Sequence, residues 1–486
     1  MSTHRSFILL LCTGVIAGCA VGPDYRRPAM PLPKHYIGQG MVVPEKNVSE
    51  SELATWWQSF DDPLLARFVS LALEKNLSLA QAVARVTQAR ALLGSANAAL
   101  LPSGAISGST GRAHQSIETP LGQVLDSTPG YNRWGNAYEA DLSANWEIDL
   151  FGGLRRSREA AVADYQSSQA GAVAVRLAVA AQTADIFITI REQQTRLDIA
   201  RRQVTIQRDL LGKVQLLYNR GLVADYQVQQ AQDALAQAQA TVPVLQMALD
   251  EAMNALDVML AAPPGTYRAQ LESIAPIPVI PQITQMGSPA ELLQRRPDII
   301  VAERRLVATN ARIGEAIAEY YPTFSLSGLL GSATAISSGN LFSSGASQAS
   351  GLLGLRWRLF DFGRINAQID LARGQDAEAL AAYRQVVLKA TEDVENAFSA
   401  LSNRNVQVSA LRQGEAALSR AQASSLAAYQ RGTASLIDVL HADESCLRAS
   451  DASVQAQAAS ARAAVALFKS LGGGWQPKSA EMISVE

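Results

Sequence analysis

Residues 138–150 read YEADLSANWEIDL. Tyr138, Ala140, Leu142, Ala144, Trp146, Ile148 and Leu150 alternate with Glu139, Asp141, Ser143, Asn145, Glu147 and Asp149. Side chains along a strand point to opposite faces in turn. Thirteen residues of unbroken alternation therefore give one dry face and one strongly polar face. Residues 353–359 repeat the pattern, with Leu353, Leu355, Trp357 and Leu359 against Gly354, Arg356 and Arg358. Weaker strands rich in glycine and serine precede them near 104–111 and 324–331. A soluble sandwich would alternate as well. Two features favour a membrane barrel: the strand is longer than the roughly 9–11 residues that span a bilayer, and Trp146 and Trp357 sit on the dry faces, where interfacial aromatics belong. Four strands cannot close a barrel, for which about eight is the minimum. A barrel thus needs several chains, and three would supply twelve strands.

Outward from these strands the chain repeats itself. Residues 76–102 match 296–322 at a constant offset of 220, which puts Ala82 on Ala302, Gly94 on Gly314 and Pro102 on Pro322. After a loop nine residues shorter in the second copy the offset becomes 211. Trp146 then falls on Trp357, Phe187 on Phe398, Tyr218 on Tyr429 and Gly221 on Gly432. One register held so long marks a duplicated unit. Each copy reads helix, strand, strand, long helix, turn, helix.

In the helix after the first turn, Leu235, Val242, Leu249 and Leu256 recur every seven residues, with Ala238, Leu245, Ala252 and Met259 three further on. That is a coiled-coil seam. The second copy carries Cys446, Ser453, Ser460 and Leu467 at the matching sites, small residues that let helices approach closely. Pro243 falls inside the first-copy helix and argues for a local kink. At about 1.5 Å per residue the long helices reach roughly 90 Å, an elongated arrangement.

The expected organisation is a signal peptide at 1–18 and an N-terminal anchor and extended segment at 19–75. Repeat 1 follows at 76–270, with strands about 104–113 and 137–150 and helices about 153–212 and 223–260. A linker at 271–295 leads to repeat 2 at 296–472, with strands about 323–331 and 350–361 and helices about 364–423 and 434–471, then a tail at 473–486. Residues 6–18, SFILLLCTGVIAG, follow His4 and Arg5, a basic start and an apolar run too short to span as a mature helix. Ile16-Ala17-Gly18-Cys19 resembles a bacterial lipoprotein cleavage box, with Cys19 as the acylated residue. Cys12 leaves with the signal, so Cys446 is the only other cysteine of the mature chain and no internal disulfide is available.

Charge excludes little but points nowhere else. Lys plus Arg number 42 against 44 Asp plus Glu, which gives no reason to invoke nucleic acid. The histidines, His4, His35, His114 and His441, form no metal-ligand spacing, and no nucleophile-elbow or phosphate-loop motif is present. Neither an enzyme nor a bound cofactor is expected. A coiled-coil tether would explain the helices but not the alternating strands.

The junctions NWEIDLFGGLRR (145–156) and RWRLFDFGR (356–364), and the turns LYNRGLVADYQVQQAQ (217–232) and AYQRGTASLIDVLHAD (428–443), resemble the outer membrane factor, or TolC-like, family. Within it, the chain resembles the lipid-anchored branch similar to OprM and NodT in particular. The resemblance implies an α+β membrane protein in which three chains share a twelve-stranded barrel continued by a coiled-coil α-helical barrel. It implies an exit duct in the outer membrane of a Gram-negative bacterium, a homotrimer in outer-membrane lipid. The partners would be a periplasmic adaptor and an inner-membrane pump of the resistance-nodulation-division type. Drugs or other small toxic compounds would be the cargo. A duct for type I-like secretion is the alternative.

The resemblance places both turns at a closed periplasmic tip. Gly221 and Gly432 suit a sharp turn between helices. Acidic residues after the glycine ring the pore in that family. Asp438 keeps this position in copy two, His441 stands where a second acid is frequent, and Gln227 and Asp225 occupy copy one. Tyr429, and Tyr218 by repeat, correspond to a latching tyrosine, whereas Ala434 replaces an arginine common nearby.

Overall fold

The computed structural model describes residues 20–31, 33, 36–37, 53–281 and 295–476. The signal region and Cys19 lie outside the described residues. The principal helices are α1 (Pro63–Lys75), α2 (Leu77–Ala98), α3 (Gly153–Asn219), α4 (Asp225–Met259), α5 (Pro297–Ala318), α6 (Arg364–Gln430) and α7 (Leu436–Ser470), beside two short ones at Pro120–Asp126 and Arg268–Leu271. The strands are β1 (Ser103–His114), β2 (Trp134–Ile148), β3 (Thr323–Thr334) and β4 (Ser347–Arg356). The duplication is visible in lengths alone: α2 and α5 have 22 residues each, α3 and α6 have 67, and α4 and α7 have 35.

The chain divides into two compact units. Of the described residues, the first holds 20–28, 87–166 and 304–381 and contains the sheet. Its four strands are antiparallel in the order β1-β2-β3-β4, so β1 and β4 are both edges. Register assigns the faces. Leu142 lies opposite Ile106 on one side and Leu330 on the other, and Leu330 lies opposite Ala349. Ile106, Leu142, Trp146, Leu326, Leu353 and Leu355 therefore share one apolar face. Ser143, Asn145 and Ser327 point the other way, a mostly polar face that also carries Leu329 and Leu352. Ile106, Leu142, Leu330 and Leu355 are all exposed, so the described residues leave the apolar face uncovered.

Carboxylates turn strands into helices in this unit. Asp149 accepts from the backbone N–H groups of Leu154 and Arg155 at 3.3 and 2.9 Å, and Asp361 accepts from Ile365 at 2.7 Å. Each satisfies donors that the first turn leaves open. Trp146 and Trp357 fix the same junctions from the strand side: their indole N–H groups donate to the carbonyls of Leu100 and Tyr320, both at 3.0 Å. Alanines Ala160, Ala163, Ala308 and Ala311 pack α3 closely on α5.

The second unit holds the described residues within 29–86, 167–303 and 382–476. Its core is aromatic: Trp56 stacks on Phe468 at 5.4 Å, and Phe68 meets Phe187 and Tyr267 at 6.1 and 5.8 Å. The seam residues Ala238, Leu245, Leu249, Ala252 and Leu256 are buried on α4, as are Cys446, Ser453, Ser460 and Leu467 on α7. Helix α4 runs through Pro243 without interruption.

Three expectations need correction. The segment 19–75 is not wholly extended, because α1 occupies Pro63–Lys75, with Asp62 Oδ1 accepting from Leu64 and Leu65 and Pro63 in the first turn. The second strand of copy two ends at Arg356 rather than about 361. Arg356 pairs with Thr323, the first residue of β3, and Pro322 before it has no N–H, so nothing continues the ladder. The long helices extend seven residues beyond 212 and 423, to Asn219 and Gln430, where the turn glycines stop them.

Candidate functional site

Both turns sit in the second unit, where two helical hairpins of one chain meet. Each turn is built alike. Gly221 has φ 74° and Gly432 φ 76°, the left-handed region where glycine is least strained. Gly221 N–H donates to Tyr218 at 2.8 Å and Leu222 N–H to Leu217 at 3.0 Å. Gly432 donates to Tyr429 at 2.9 Å and Thr433 to Ala428 at 3.0 Å. This pair of bonds is a Schellman ending, which satisfies carbonyls the helix leaves open.

The next helices begin differently in the two copies. Ser435 and Asp438 form a capping box at the start of α7: Asp438 N–H donates to Ser435 Oγ at 3.2 Å, and Ser435 N–H to Asp438 Oδ2 at 2.8 Å. Ala224 takes the equivalent position before α4 and offers no side-chain cap. Gln227, the counterpart of Asp438, leaves its Oε1 buried without a hydrogen-bond partner among the described residues.

Behind the turns lies a small core of Leu210, Val214, Val228, Ala231, Leu436 and Val439, drawn from both hairpins. Tyr429 packs against it and is half-buried, with its hydroxyl unpartnered among the described residues, and burial pushes its pKa up. Tyr218 instead is 42% exposed, so the structure separates the two repeat-related tyrosines. Asp438 and His441 lie off the packed face of α7: both are exposed, while Leu436, Val439 and Asp443 are buried. Asp225 is exposed in the first turn of α4. Bonds from the Ser435 hydroxyl and then its backbone N–H hold the Asp438 carboxyl below the usual range, with a further contribution from nearby His441.

Two features escaped the sequence reading. The Ser435 cap was open to it, since Ser-x-x-Asp after a turn glycine is a helix-start signature. Asp443 gave no such signal. It is 2% exposed and takes hydrogen bonds from Gln422 at 2.9 Å and Gln207 at 3.3 Å, which ties α7 to α6 and α3. Burial pushes its carboxyl above the ordinary range, and the two amides oppose that shift. Among the described residues no cluster of three or more His, Cys, Asp or Glu side chains could hold a metal.

A sequence model of the family described as "Outer membrane efflux protein" matches residues 68–262 and 288–473. Nodulation protein T of Rhizobium leguminosarum bv. viciae is 29% identical over 428 residues, spanning 88% of this chain and 85% of that protein. The pyoverdine export outer membrane protein OpmQ of Pseudomonas putida is 30% identical over 428 residues, spanning 87% and 89%. The solved outer-membrane channel OprN superimposes with a TM-score of 0.85 at 32% identity, over 94% of this chain and 100% of that one.

Proposed function

Since the chain belongs to the outer membrane efflux protein family and forms an outer-membrane exit duct for efflux, we propose that its two Schellman turns close the periplasmic end, with Asp438 and His441 ringing the pore. Its fold is that of trimeric channels in which each chain gives four strands to a common barrel. The family is one of ducts, not of enzymes, and its members act as trimers with an adaptor and an inner-membrane pump.

One observation carries the gate: Asp438 and His441, one turn apart on α7, both face away from the core that joins the hairpins. Around a threefold axis three Asp438 carboxylates would converge. Like charges in a narrow passage repel one another yet attract cations. The resulting constriction conducts poorly at rest and prefers cations. His441, one turn further along α7, lies beside that acidic ring. Ala434, in place of a cation, leaves the carboxylate to its own cap.

Planar-bilayer recording tests this. Asp438→Ala is expected to raise resting conductance and lower cation preference, and His441→Ala to alter the resting conductance. Indifference to both substitutions removes these residues from the gate and leaves the duct intact.

The pump is of the resistance-nodulation-division type, as the likeness to the lipoprotein branch supports. Relatives bear names for pyoverdine export and toluene efflux, so the family's cargo is chemically diverse. The cargo here is accordingly small compounds selected upstream of the duct. The mature chain starts at an acylated Cys19, as Ile16-Ala17-Gly18-Cys19 supports. Intact-mass measurement of membrane-extracted protein is expected to show the acyl chains, and an unmodified start at any other residue would refute the anchor.

A further inference from the structure

The apolar face of the sheet carries no charged residue from its helix-proximal end up to Thr110 and Tyr138. Beyond that level its chemistry changes. Arg112 and His114 lie on the same face, opposite Asn136 and Trp134. The Arg112 guanidinium stands 5.1 Å from the centre of the Trp134 ring, and the His114 ring lies 4.8 Å from it on the other strand. Trp134 remains 52% exposed under these contacts. Among the described residues neither Arg112 nor His114 has a carboxylate partner, and Glu139 and Asp141 point to the opposite face.

Position gives this trio a meaning. The other strand ends join the helices, so these ends form the outer rim of the barrel. Trp146 marks the inner rim, twelve residues from Trp134 along β2. At about 3.3 Å per residue and a tilt of about 40°, twelve residues rise roughly 30 Å, the thickness of the hydrocarbon layer. Trp134 and Arg112 then stand at the headgroup level of the outer leaflet. An arginine within the hydrocarbon layer would be costly, whereas at the headgroups it meets phosphate. Held over the indole, a guanidinium can still offer N–H donors for a planar, two-bonded grip on phosphate oxygens. His114 adds a ring donor beside it.

We propose that Arg112, His114 and Trp134 form a rim site for the phosphate of an anionic outer-leaflet glycolipid. The site rests on the sheet standing in the outer membrane as described above. It recurs once per chain, and it would fix the height and rotation of the barrel rim against its lipid shell. The second copy has no equivalent: at the outer end of the β3–β4 hairpin the same face offers Ser332, Thr334 and Ser347, all uncharged.

Detergent-purified, full-length trimer offered diphosphorylated lipid A, its fully dephosphorylated counterpart and inorganic phosphate tests the site, with bound species counted by native mass spectrometry. Wild type is expected to retain the diphosphorylated lipid about tenfold more than the dephosphorylated one, the scale of charge-assisted bonds. The double change Arg112→Gln with His114→Gln is expected to abolish that preference, while Arg112→Lys keeps part of it. Inorganic phosphate is expected not to displace the lipid. Equal retention of both lipids by wild type overturns the site whether or not the double variant assembles. So does an unchanged preference in an assembled double variant, and displacement by free phosphate overturns the lipid as its occupant. A trimer that inserts into vesicles made only of dephosphorylated lipid leaves the barrel standing in each of these cases. One that inserts into none overturns both.

Discussion

Ser435 and Asp438 satisfy each other at the start of α7, hydroxyl to backbone N–H at 3.2 Å and carboxylate to backbone N–H at 2.8 Å. The repeat-related pair, Ala224 and Gln227, cannot do so, and α4 starts without a side-chain cap. Ala224→Ser is expected to raise the thermal midpoint of the trimer, because a serine cap contributes about 1 kcal/mol per chain. The Oε1 of Gln227, buried and unpartnered among the described residues, can then accept the backbone N–H of position 224. Ser435→Ala is expected to lower the midpoint by a comparable step. If Ala224→Ser leaves the melting curve unmoved, the turn of copy one is held by something other than its helix cap.

Asp443 supplies a pH-dependent test. Its carboxyl lies above the ordinary range because burial disfavours the charged form. A folded-state value above the unfolded one, about 3.9, means that the folded chain holds the proton more tightly. Stability therefore falls as pH rises from the unfolded value through the folded one, and above both the penalty is complete. Asp443→Asn removes the charge. Its amide can accept from Gln422 and donate to Gln207 Oε1, which is buried and unpartnered among the described residues. Thermal unfolding is expected to show Asp443→Asn above wild type at pH 7.5, with the gap closing toward pH 4. A gap independent of pH would mean that packing, not charge, sets the difference.

Leu142 and Ser143 are neighbours on opposite faces of β2. Leu142→Arg puts a charge on the lipid-facing side, at a cost of roughly 2–4 kcal/mol if it lies near mid-bilayer. Leu355→Arg on β4 shares that face and the same expectation. Ser143→Arg joins a face that already carries Glu139, Asp141 and Glu147. Heat-resistant trimer on gels is expected to be lost in the first two and kept in the third. Equal tolerance on both faces would contradict the assignment of faces.

The strands and the duplication were legible because each is a local or periodic signal: alternation runs unbroken through β2, and one register links Trp146 to Trp357. The turn glycines were legible for the same reason, since left-handed backbone selects glycine locally. What escaped the reading depends on distant partners. The end of β4 is set by where Thr323 stops offering a ladder, a fact of pairing between strands. Asp443 is made special by Gln207 and Gln422, more than two hundred and about twenty residues away in the chain. The helix α1 was legible and overlooked, because Asp62-Pro63 is a helix-start signal.

The two indoles at the strand–helix junctions offer a graded test of how far the copies are equivalent. Trp146 donates to Leu100 and Trp357 to Tyr320, both at 3.0 Å. The bonds match in length but not in surroundings, because Trp146 is half-buried and Trp357 is 55% exposed. A bond in reach of solvent is replaced by one to water at little cost, whereas removing the donor from a shielded carbonyl costs about 1 kcal/mol. Trp146→Phe is thus expected to lower the thermal midpoint of the trimer measurably and Trp357→Phe by less. Phenylalanine keeps an aromatic ring at both sites, so the comparison isolates the N–H. The opposite order, with Trp357→Phe the more damaging, would show that neighbouring chains cover Trp357 in the trimer and shield the bond that the single chain leaves open.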